Sequence, residues 1–222
     1  MNTYTKIFTG ALAAWLPLAP AHAQTAPAYP VKPVRIISPF APGGPTDLLS
    51  RPVSAKLHEA LGQPFIIDYK AGAAGNIGTD FVAKSAPDGY TLLVITGSFS
   101  VAPATNASLP YDTLKEFSGV SPQRSSAFPD TPTIAEMGYP KFEISSNYGI
   151  IAPAATPRAV IARLNGVMEK AIASPEVRKA YTSFGVDPWW DTGEHYTAWL
   201  AEDVARWIAV AKAIKYQPGK DG

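Results

Sequence analysis

The sequence has no cysteine among its 222 residues. Disulfide bonds, thiolate zinc sites and cysteine nucleophiles are therefore excluded together. Charge is also sparse, because charged residues make up 17% of the chain and the formal net charge is +1. Without a run of Lys or Arg, the chain offers no basic surface to nucleic acid or to an anionic membrane. An anionic ligand must therefore be recognised by local groups, in a folded chain that is 46% hydrophobic.

Catalytic and cofactor-binding motifs are missing as well. Beyond the N-terminal segment the chain has two histidines, His58 and His195, and no serine occupies a Gly-x-Ser-x-Gly elbow. No group of histidines and carboxylates has the spacing of metal ligands. The glycine-rich segments lack both the Gly-Lys-Ser/Thr of a P-loop and the spacing of a dinucleotide fingerprint. The sequence therefore predicts a protein that is not an enzyme and that carries no cofactor or metal ion.

Long apolar runs are absent after the N-terminus. There, Lys6 precedes the apolar stretch Ile7–Ala19, and Ala21-His22-Ala23 follows with the small-x-small pattern that signal peptidase requires. This pattern predicts a signal peptide at 1–23, cleaved before Gln24, and a periplasmic mature chain that folds by packing without disulfides. A retained anchor is the alternative. It is disfavoured because the stretch is shorter than the roughly 20 apolar residues of a membrane helix.

The sequence does contain a strand, a glycine loop and a helix, followed by the same unit again. The predicted elements are strands at 34–40, 65–69 and 91–95, glycine loops at 41–45 and 71–76, and helices at 48–61 and 77–85. The third strand is almost wholly apolar, as expected when helices cover both faces of a parallel sheet. The pattern therefore predicts an α/β fold with right-handed crossovers.

The middle of the chain has a weaker pattern. From Gly97 to Phe128 it consists of Ala, Ser, Pro and single hydrophobic residues, which predicts a connection without a strand, with one short helix near 113–117. Order returns at 134–137. The remaining predicted elements are a strand at 146–151 and helices at 157–172, 175–184 and 192–214. The aromatic residues of the last helix recur at i, i+3 and i+4, which is typical of packing residues.

Both glycine loops stand between a strand and a helix N-terminus, where free backbone N–H groups and the helix dipole attract an anion. Ligands of open α/β sheets bind at the carboxyl ends of strands, so both loops are expected at one edge. Gly43 and Gly44 allow close approach of the backbone, and Thr46 offers a hydroxyl. Two roles stay open for Asp47, a helix cap or a contact to a ligand cation such as ammonium. Either loop taken alone is more typical of a tight turn than of a site.

Several stretches resemble the substrate-binding proteins of tripartite tricarboxylate transporters, the TctC or Bug family. The matching segments are Tyr29–Ile37, Pro39–Asp47, Ala71–Gly78, Pro87–Leu93, Leu109–Asp112, Phe128–Glu136, Ala152-Pro153 and Arg163–Asn165. The resemblance implies a fold like that of type II periplasmic binding proteins, whose two lobes close on a carboxylate held largely by backbone N–H groups. Carried over position by position, the ligand-binding residues would be Phe40, Ala41, Gly43, Gly44, Thr46, Asp47, Gly72, Ala73, Gly75, Asn76 and Ser98.

The chain departs from this family at one long segment. Between Val120 and Ser121 the family's pattern jumps, and the stretch that builds most of the second lobe is missing. A smaller departure is Asn147-Tyr148, where the family usually has a tryptophan. The predicted fold is therefore a parallel-sheet first lobe, with helices on both faces, and a truncated second lobe. The predicted domains are a signal peptide at 1–23, a first lobe at 24–98, a shortened second-lobe remnant at 99–127, and a segment at 128–222 that returns to the first lobe.

The predicted function is extracytoplasmic binding of a small carboxylate for a tripartite tricarboxylate transporter. A di- or tricarboxylate, an acidic amino acid or an aromatic acid fits this prediction. The expected partners are that ligand and the transporter's membrane components, with no nucleic acid and no stable membrane insertion. Half a cleft leaves a carboxylate hydrated, so weak binding or none is expected. Three alternatives stay open: an exported enzyme for which no base is visible, a periplasmic sensing or interaction module, and a non-functional truncated remnant.

Overall fold

A computed structural model describes residues 29–121 and 147–217 of the chain. The predicted signal peptide and the predicted order at 134–137 lie outside the described residues. The strands are β1 (Val34–Ser38), β2 (Phe65–Tyr69), β3 (Thr91–Thr96), β4 (Phe117–Ser121) and β5 (Tyr148–Pro153). The helices are α1 (Pro45–Leu61), α2 (Asn76–Ala83), α3 (Gly97–Thr105), α4 (Arg158–Ala173), α5 (Pro175–Thr182) and α6 (Gly193–Ala213). A short 3₁₀ turn, Ala73–Gly75, precedes α2.

The five strands form one sheet in the order β2-β1-β3-β5-β4. β1 pairs in parallel with β2 and with β3, so the parallel arrangement predicted for the first three strands is confirmed. β5 runs antiparallel to both of its neighbours, β3 and β4. The sheet is therefore mixed. The carboxyl ends of β1 to β4 and the start of β5 all lie at the same edge.

Helices cover both faces of the sheet, as predicted. Against one face, α1, α4 and α5 bury a cluster that includes Val53 and Leu164. Against the other face, α2, α3 and α6 bury a cluster that includes Phe99. Ile36 belongs to the first cluster and Ile37 to the second, because successive residues of a strand point to opposite faces. Burial on both faces explains why the parallel strands are apolar runs without alternation.

Two elements lie where the sequence predicted a connection without a strand. The helix α3 is capped by Thr96, whose side chain accepts a hydrogen bond from the N–H of Ser98, and the strand β4 pairs with β5. Phe99, Tyr111 and Phe117 from this stretch are buried in the core. The sequence did not predict α3 or β4, for two reasons. The sequence of α3 carries no clear helical period, and β4 takes its hydrogen bonds from a strand distant in the chain.

The short helix predicted near 113–117 is also wrong, because these residues form a turn that leads into β4. Oδ1 of Asp112 accepts hydrogen bonds from the N–H groups of Leu114 and Lys115, at 3.0 and 3.1 Å. Such a side-chain turn competes with helix formation. The three C-terminal helices are confirmed. Thr192 caps α6 by accepting a hydrogen bond from the N–H of His195 at 3.2 Å, which fixes the start of that helix.

Candidate ligand-binding edge of the sheet

Three strand ends meet at one edge because β1, β2 and β3 are adjacent and parallel. These strands end at Ser38, Tyr69 and Thr96, and each is followed by the N-terminus of a helix, α1, α2 or α3. The helix α1 packs on one face of the sheet, whereas α2 and α3 pack on the other. The edge is therefore a topological switch point, the position at which ligands of open α/β sheets bind.

The first loop, residues 39–44, is held by the carboxylate of Asp47, whose residue is 1% exposed. Oδ2 of Asp47 accepts hydrogen bonds from the N–H of Gly43 at 2.7 Å and from Nη2 of Arg51 at 2.9 Å. Oδ1 accepts a hydrogen bond from the hydroxyl of Tyr69 at 2.6 Å. Asp47 therefore bonds to both the first loop and the end of β2, and it holds the two together. Of the two roles that the sequence leaves open for Asp47, the geometry supports the structural one.

Asp47 stays ionised in this setting. Burial alone would raise its pKa, but the hydrogen bonds from Arg51, Tyr69 and the N–H of Gly43 outweigh burial and hold the pKa below its ordinary value. The pKa of the Tyr69 hydroxyl is raised, first because that hydroxyl donates a hydrogen bond to Asp47. The proton therefore remains on Tyr69 and the negative charge on Asp47.

The donors left at the first loop are backbone groups of the α1 N-terminus. The N–H of Gly43 is already bonded to Asp47, and no side chain caps the helix at Gly44. Within residues 29–121 and 147–217, the N–H groups of Thr46 and Asp47 have no hydrogen-bond acceptor. The Thr46 hydroxyl is buried and lies 3.2 Å from the hydroxyl of Ser38, with which it shares a hydrogen bond. Thr46 and Gly43 are both predicted ligand-binding residues, and the Thr46 hydroxyl and the Gly43 N–H each already contact a group within the protein.

The second loop has an unusual backbone. Four successive residues have positive φ: Gly72 (134°), Ala73 (47°), Ala74 (53°) and Gly75 (94°). For alanine this left-handed region costs roughly 1–2 kcal/mol, and such strain is typical of functional loops. Gly72 and Ala73 are exposed. Among the described residues, the N–H groups of Ala73 and Ala74 have no acceptor, so both remain available to donate to an anion.

Asn76, at the start of α2, is fixed by a residue that the sequence did not single out. Its Oδ1 accepts a hydrogen bond from the hydroxyl of Tyr111 at 2.7 Å, so Nδ2 is the part of the amide available to a ligand. Tyr111 is 7% exposed, and burial is the main reason that its pKa is raised. Arg51 and Tyr69 were also missed. The i, i+4 spacing from Asp47 was the signal that could have identified Arg51.

The two loops touch each other. A Cβ on Gly75 would lie 3.4 Å from both Pro39 Cβ and Phe40 Cζ, so the first loop packs directly on the second. A small pocket at this junction brings together four of the predicted residues, Phe40, Gly75, Asn76 and Ser98. The pocket has a cavity volume of about 10 Å³, enough for about one water molecule. Ligand pockets usually have about 300–1,000 Å³, so this edge forms part of a site and not a complete enclosure.

The remaining predicted residues flank this pocket. The exposed or half-exposed ones, which lie on the loops, are Ala41, Gly43, Gly44, Gly72 and Ala73, while Thr46 and Asp47 are buried in the first turn of α1. Ser98 is exposed. Its N–H donates a hydrogen bond to Oγ1 of Thr96 at 3.3 Å, and the two hydroxyl oxygens lie 2.8 Å apart. Ser98 is therefore close to the site but hydrogen-bonded within its own helix cap.

The break in the family pattern lies at this same edge. β4 ends at Ser121, and β5 begins at Tyr148, which pairs with Thr96 at the end of β3. The register of β4 against β5 shifts between Gly119 and Ser121, around the position of the predicted junction. A segment inserted there would leave and return at the edge of the sheet that carries the glycine loops, next to the end of β3. A stretch inserted at the predicted junction would therefore lie at the same edge of the sheet as the candidate site.

The described residues can also be compared with what a metal site or a membrane-spanning helix requires. Across residues 29–121 and 147–217, no three His, Cys, Asp or Glu residues come together as a metal site would require. No described helix is long and apolar enough to cross a membrane.

The family described as "Tripartite tricarboxylate transporter family receptor" matches residues 49–123 and 113–216 of the chain. The two matched segments meet at β4, where the predicted junction lies. Protein BugT of Bordetella pertussis is 26% identical over 302 aligned positions, which cover 87% of this chain and 92% of that protein. Because the alignment is longer than the 222-residue chain, BugT has an internal segment with no counterpart here.

Two solved structures share the fold. The periplasmic binding protein BugD aligns with a TM-score of 0.73 at 20% identity, covering 86% of this chain and 100% of that one. MatC of Rhodopseudomonas palustris, with bound malate, aligns with a TM-score of 0.71 at 23% identity, covering 82% of this chain and 100% of that one. The likeness confirms the α/β periplasmic-binding-protein fold, and the comparison of lengths agrees with a truncated second lobe. The chain belongs to the tripartite tricarboxylate transporter receptor family, TctC, whose members are periplasmic solute-binding proteins and not enzymes.

Proposed function

We propose that this chain is exported to the periplasm, where it binds a small carboxylate at the edge formed by the ends of β1, β2 and β3. The observation that carries the proposal is the convergence of three helix N-termini at this edge, with unpaired backbone N–H groups on two of their loops. Helix N-termini and outward N–H groups stabilise a negative charge without needing a cationic side chain. Malate, the ligand of MatC, is a small carboxylate of this kind.

The ligand's far end is the part that this edge does not enclose. A closing-lobe protein gains affinity by surrounding its ligand and excluding water, and the missing segment belongs beside the site. We therefore expect a dissociation constant well above the micromolar range. A calorimetric titration that gave micromolar affinity for a dicarboxylate would contradict this expectation.

The hydrogen-bond geometry of the two loops supports the following site residues. Backbone N–H groups of Thr46, Asp47, Ala73 and Ala74 donate to the carboxylate, and the Asn76 amide contacts it from the side. Gly43, Gly44, Gly72 and Gly75 allow the backbone shape. The membrane components of a tripartite tricarboxylate transporter are the proposed partners, and the proposed signal peptide at 1–23 directs export.

The test is a thermal-shift screen of the chain purified after export, against di- and tricarboxylates, acidic amino acids and aromatic acids. A ligand that binds the native state alone raises the melting temperature, even when binding is weak, provided that its concentration is well above the dissociation constant. A cooperative melt that no carboxylate shifts, even at tens of millimolar, would refute the proposal.

A matched pair of variants places the binding at the proposed edge. Ala73→Glu puts a carboxylate on the second loop, whereas Ala155→Glu adds the same charge at an exposed position beyond the end of β5, at the opposite edge. We expect Ala73→Glu to abolish the ligand-induced shift because like charges repel at the site. Ala155→Glu should leave the shift unchanged. Equal shifts in both variants would mean that the carboxylate binds elsewhere.

A further inference from the structure

The first turn of α1 already contains a negative charge. The carboxylate of Asp47 is buried there and bonded to the N–H of Gly43, in the same loop that the proposed function assigns to an anion. An acidic residue in the first turn stabilises the helix by interacting with its dipole. It also repels any second anion nearby, and because the carboxylate is buried, solvent and salt screen that repulsion poorly.

Arg51 provides the compensating charge. It stands one turn after Asp47 on α1, with Nη2 2.9 Å from Oδ2 of Asp47 and 3.2 Å from the hydroxyl of Tyr69. Its side chain is 59% exposed, so it adds a cation to the solvent side of the edge. Among the described residues, no other cation forms an ion pair with Asp47.

We infer that Arg51 neutralises Asp47, so that an anion is accepted at the N-terminus of α1. Arg51 is a positioning residue that acts through Asp47, without touching the ligand. This inference rests on the proposed carboxylate site. Asp47 supplies the bond that shapes the loop, and Arg51 removes the electrostatic penalty that this carboxylate would otherwise impose on a second anion.

A variant can remove the negative charge of Asp47 while the shape of the first loop is kept. In Asp47→Asn, an amide oxygen in place of Oδ2 can still accept the N–H of Gly43. The amide nitrogen in place of Oδ1 can then donate to the hydroxyl oxygen of Tyr69, which is able to accept as well as donate. The double variant Asp47→Asn/Arg51→Gln is therefore close to neutral at this position while it keeps the loop contacts.

The experiment measures malate binding by titration of amide NMR shifts in the exported chain at low salt, for four proteins. These are the natural sequence, Arg51→Gln, the double variant Asp47→Asn/Arg51→Gln, and Lys84→Gln as control. Lys84 forms the same i, i+4 pair with Asp80, at 2.7 Å, on α2. Its replacement removes the same unit of charge without affecting Asp47.

We expect Arg51→Gln to weaken malate binding about tenfold at low salt, because the carboxylate of Asp47 is then left without its cation beside the bound anion. High salt should reduce this loss only in part, because that carboxylate is buried. The double variant should return to within about threefold of the natural affinity, which the loss of a merely structural contact would not do. Lys84→Gln should change the affinity less than about twofold, because Lys84 caps the C-terminal end of α2, whereas the N-terminus of α2 faces the site.

Each adverse result has a distinct meaning. If the natural sequence shows no malate-dependent shift, the proposed function and this inference fail together for malate. If it binds malate but Arg51→Gln binds equally well, the inference alone is overturned. It is also overturned if the double variant is as weak as Arg51→Gln. Thermal melts of all four proteins confirm that each is folded, so a lost signal is not mistaken for lost binding.

Discussion

A substitution at Gly78, in α2, tests how tightly the first loop packs against the second. A Cβ at Gly78 would lie 2.9 Å from the carbonyl oxygen of Lys70 and 3.0 Å from Cα and Cβ of Pro39. These are backbone and ring atoms, which cannot rotate away. Overpacking of this kind costs about 1–3 kcal/mol, while alanine in place of glycine in a helix returns about 1 kcal/mol. We expect Gly78→Ala to lower the free energy of unfolding by about 1–2 kcal/mol, because the contact is with backbone.

The assay is a thermal melt followed by circular dichroism, in which that loss corresponds to a fall of about 2–8 °C. Gly166→Ala is the matched control, since Gly166 lies in α4 and a Cβ there would meet nothing within 4 Å. The control keeps the gain in helix propensity without the clash and should melt about 2–4 °C higher than the natural sequence. If Gly78→Ala also melts higher, the loops are not packed as described and the reasoning fails. Gly78→Ala should in addition reduce the carboxylate-induced shift, because it pushes the first loop away from the second.

Two further predictions concern stability. The pKa of Asp47 is lowered on folding, so its contribution is complete above the ordinary value of 3.8 and is lost as pH falls through the lower folded pKa. In urea unfolding at several pH values, the stability gap between the natural chain and Asp47→Asn should be constant above about pH 5 and narrow below about pH 4, and a gap independent of pH would contradict this. Tyr111→Phe removes the hydroxyl that donates to Oδ1 of Asn76 while the ring keeps its edge contact with Phe117, 6.0 Å between centroids. It should cost about 1 kcal/mol in the same assay, and an unchanged midpoint would refute the role given to that hydrogen bond.

The sequence predicted the elements whose causes are local. The β1 to α1 unit combines a β-branched run, a glycine loop and apolar residues at helical spacing, and all three signals lie within about thirty residues. The start of α6 was predictable because Thr192 caps it. Helices on both faces followed from the apolar strands. The resemblance to a known family predicted which loop positions contact a ligand. In the structure both loops are neighbours at one edge of the sheet.

The parts that were missed depend on distant partners. β4 exists because β5 supplies its hydrogen bonds, and the antiparallel direction of β5 has no signature in its own residues. The tie between Asp47 and Tyr69 joins positions on different elements, so spacing along the chain could not indicate it. The contact between the Thr46 and Ser38 hydroxyls was missed for the same reason, because Ser38 belongs to β1.

The predicted position of the missing segment explains how the chain can keep its fold while it loses part of its ligand cleft. β4 and β5 are antiparallel neighbours, so β4 ends and β5 begins side by side at the ligand edge. A long or a short connection can join such ends, since loop length alone changes the closure entropy slowly. The removal of a lobe at this point therefore leaves the sheet and its two buried clusters complete, while it takes away the wall that would exclude water from the carboxylate. We therefore expect stability and affinity to depend on different parts of a family member that has both lobes. The first lobe should melt cooperatively by itself, and a chimera that restores the corresponding segment of BugT between Val120 and Ser121 should gain affinity without a large change in the stability of the sheet.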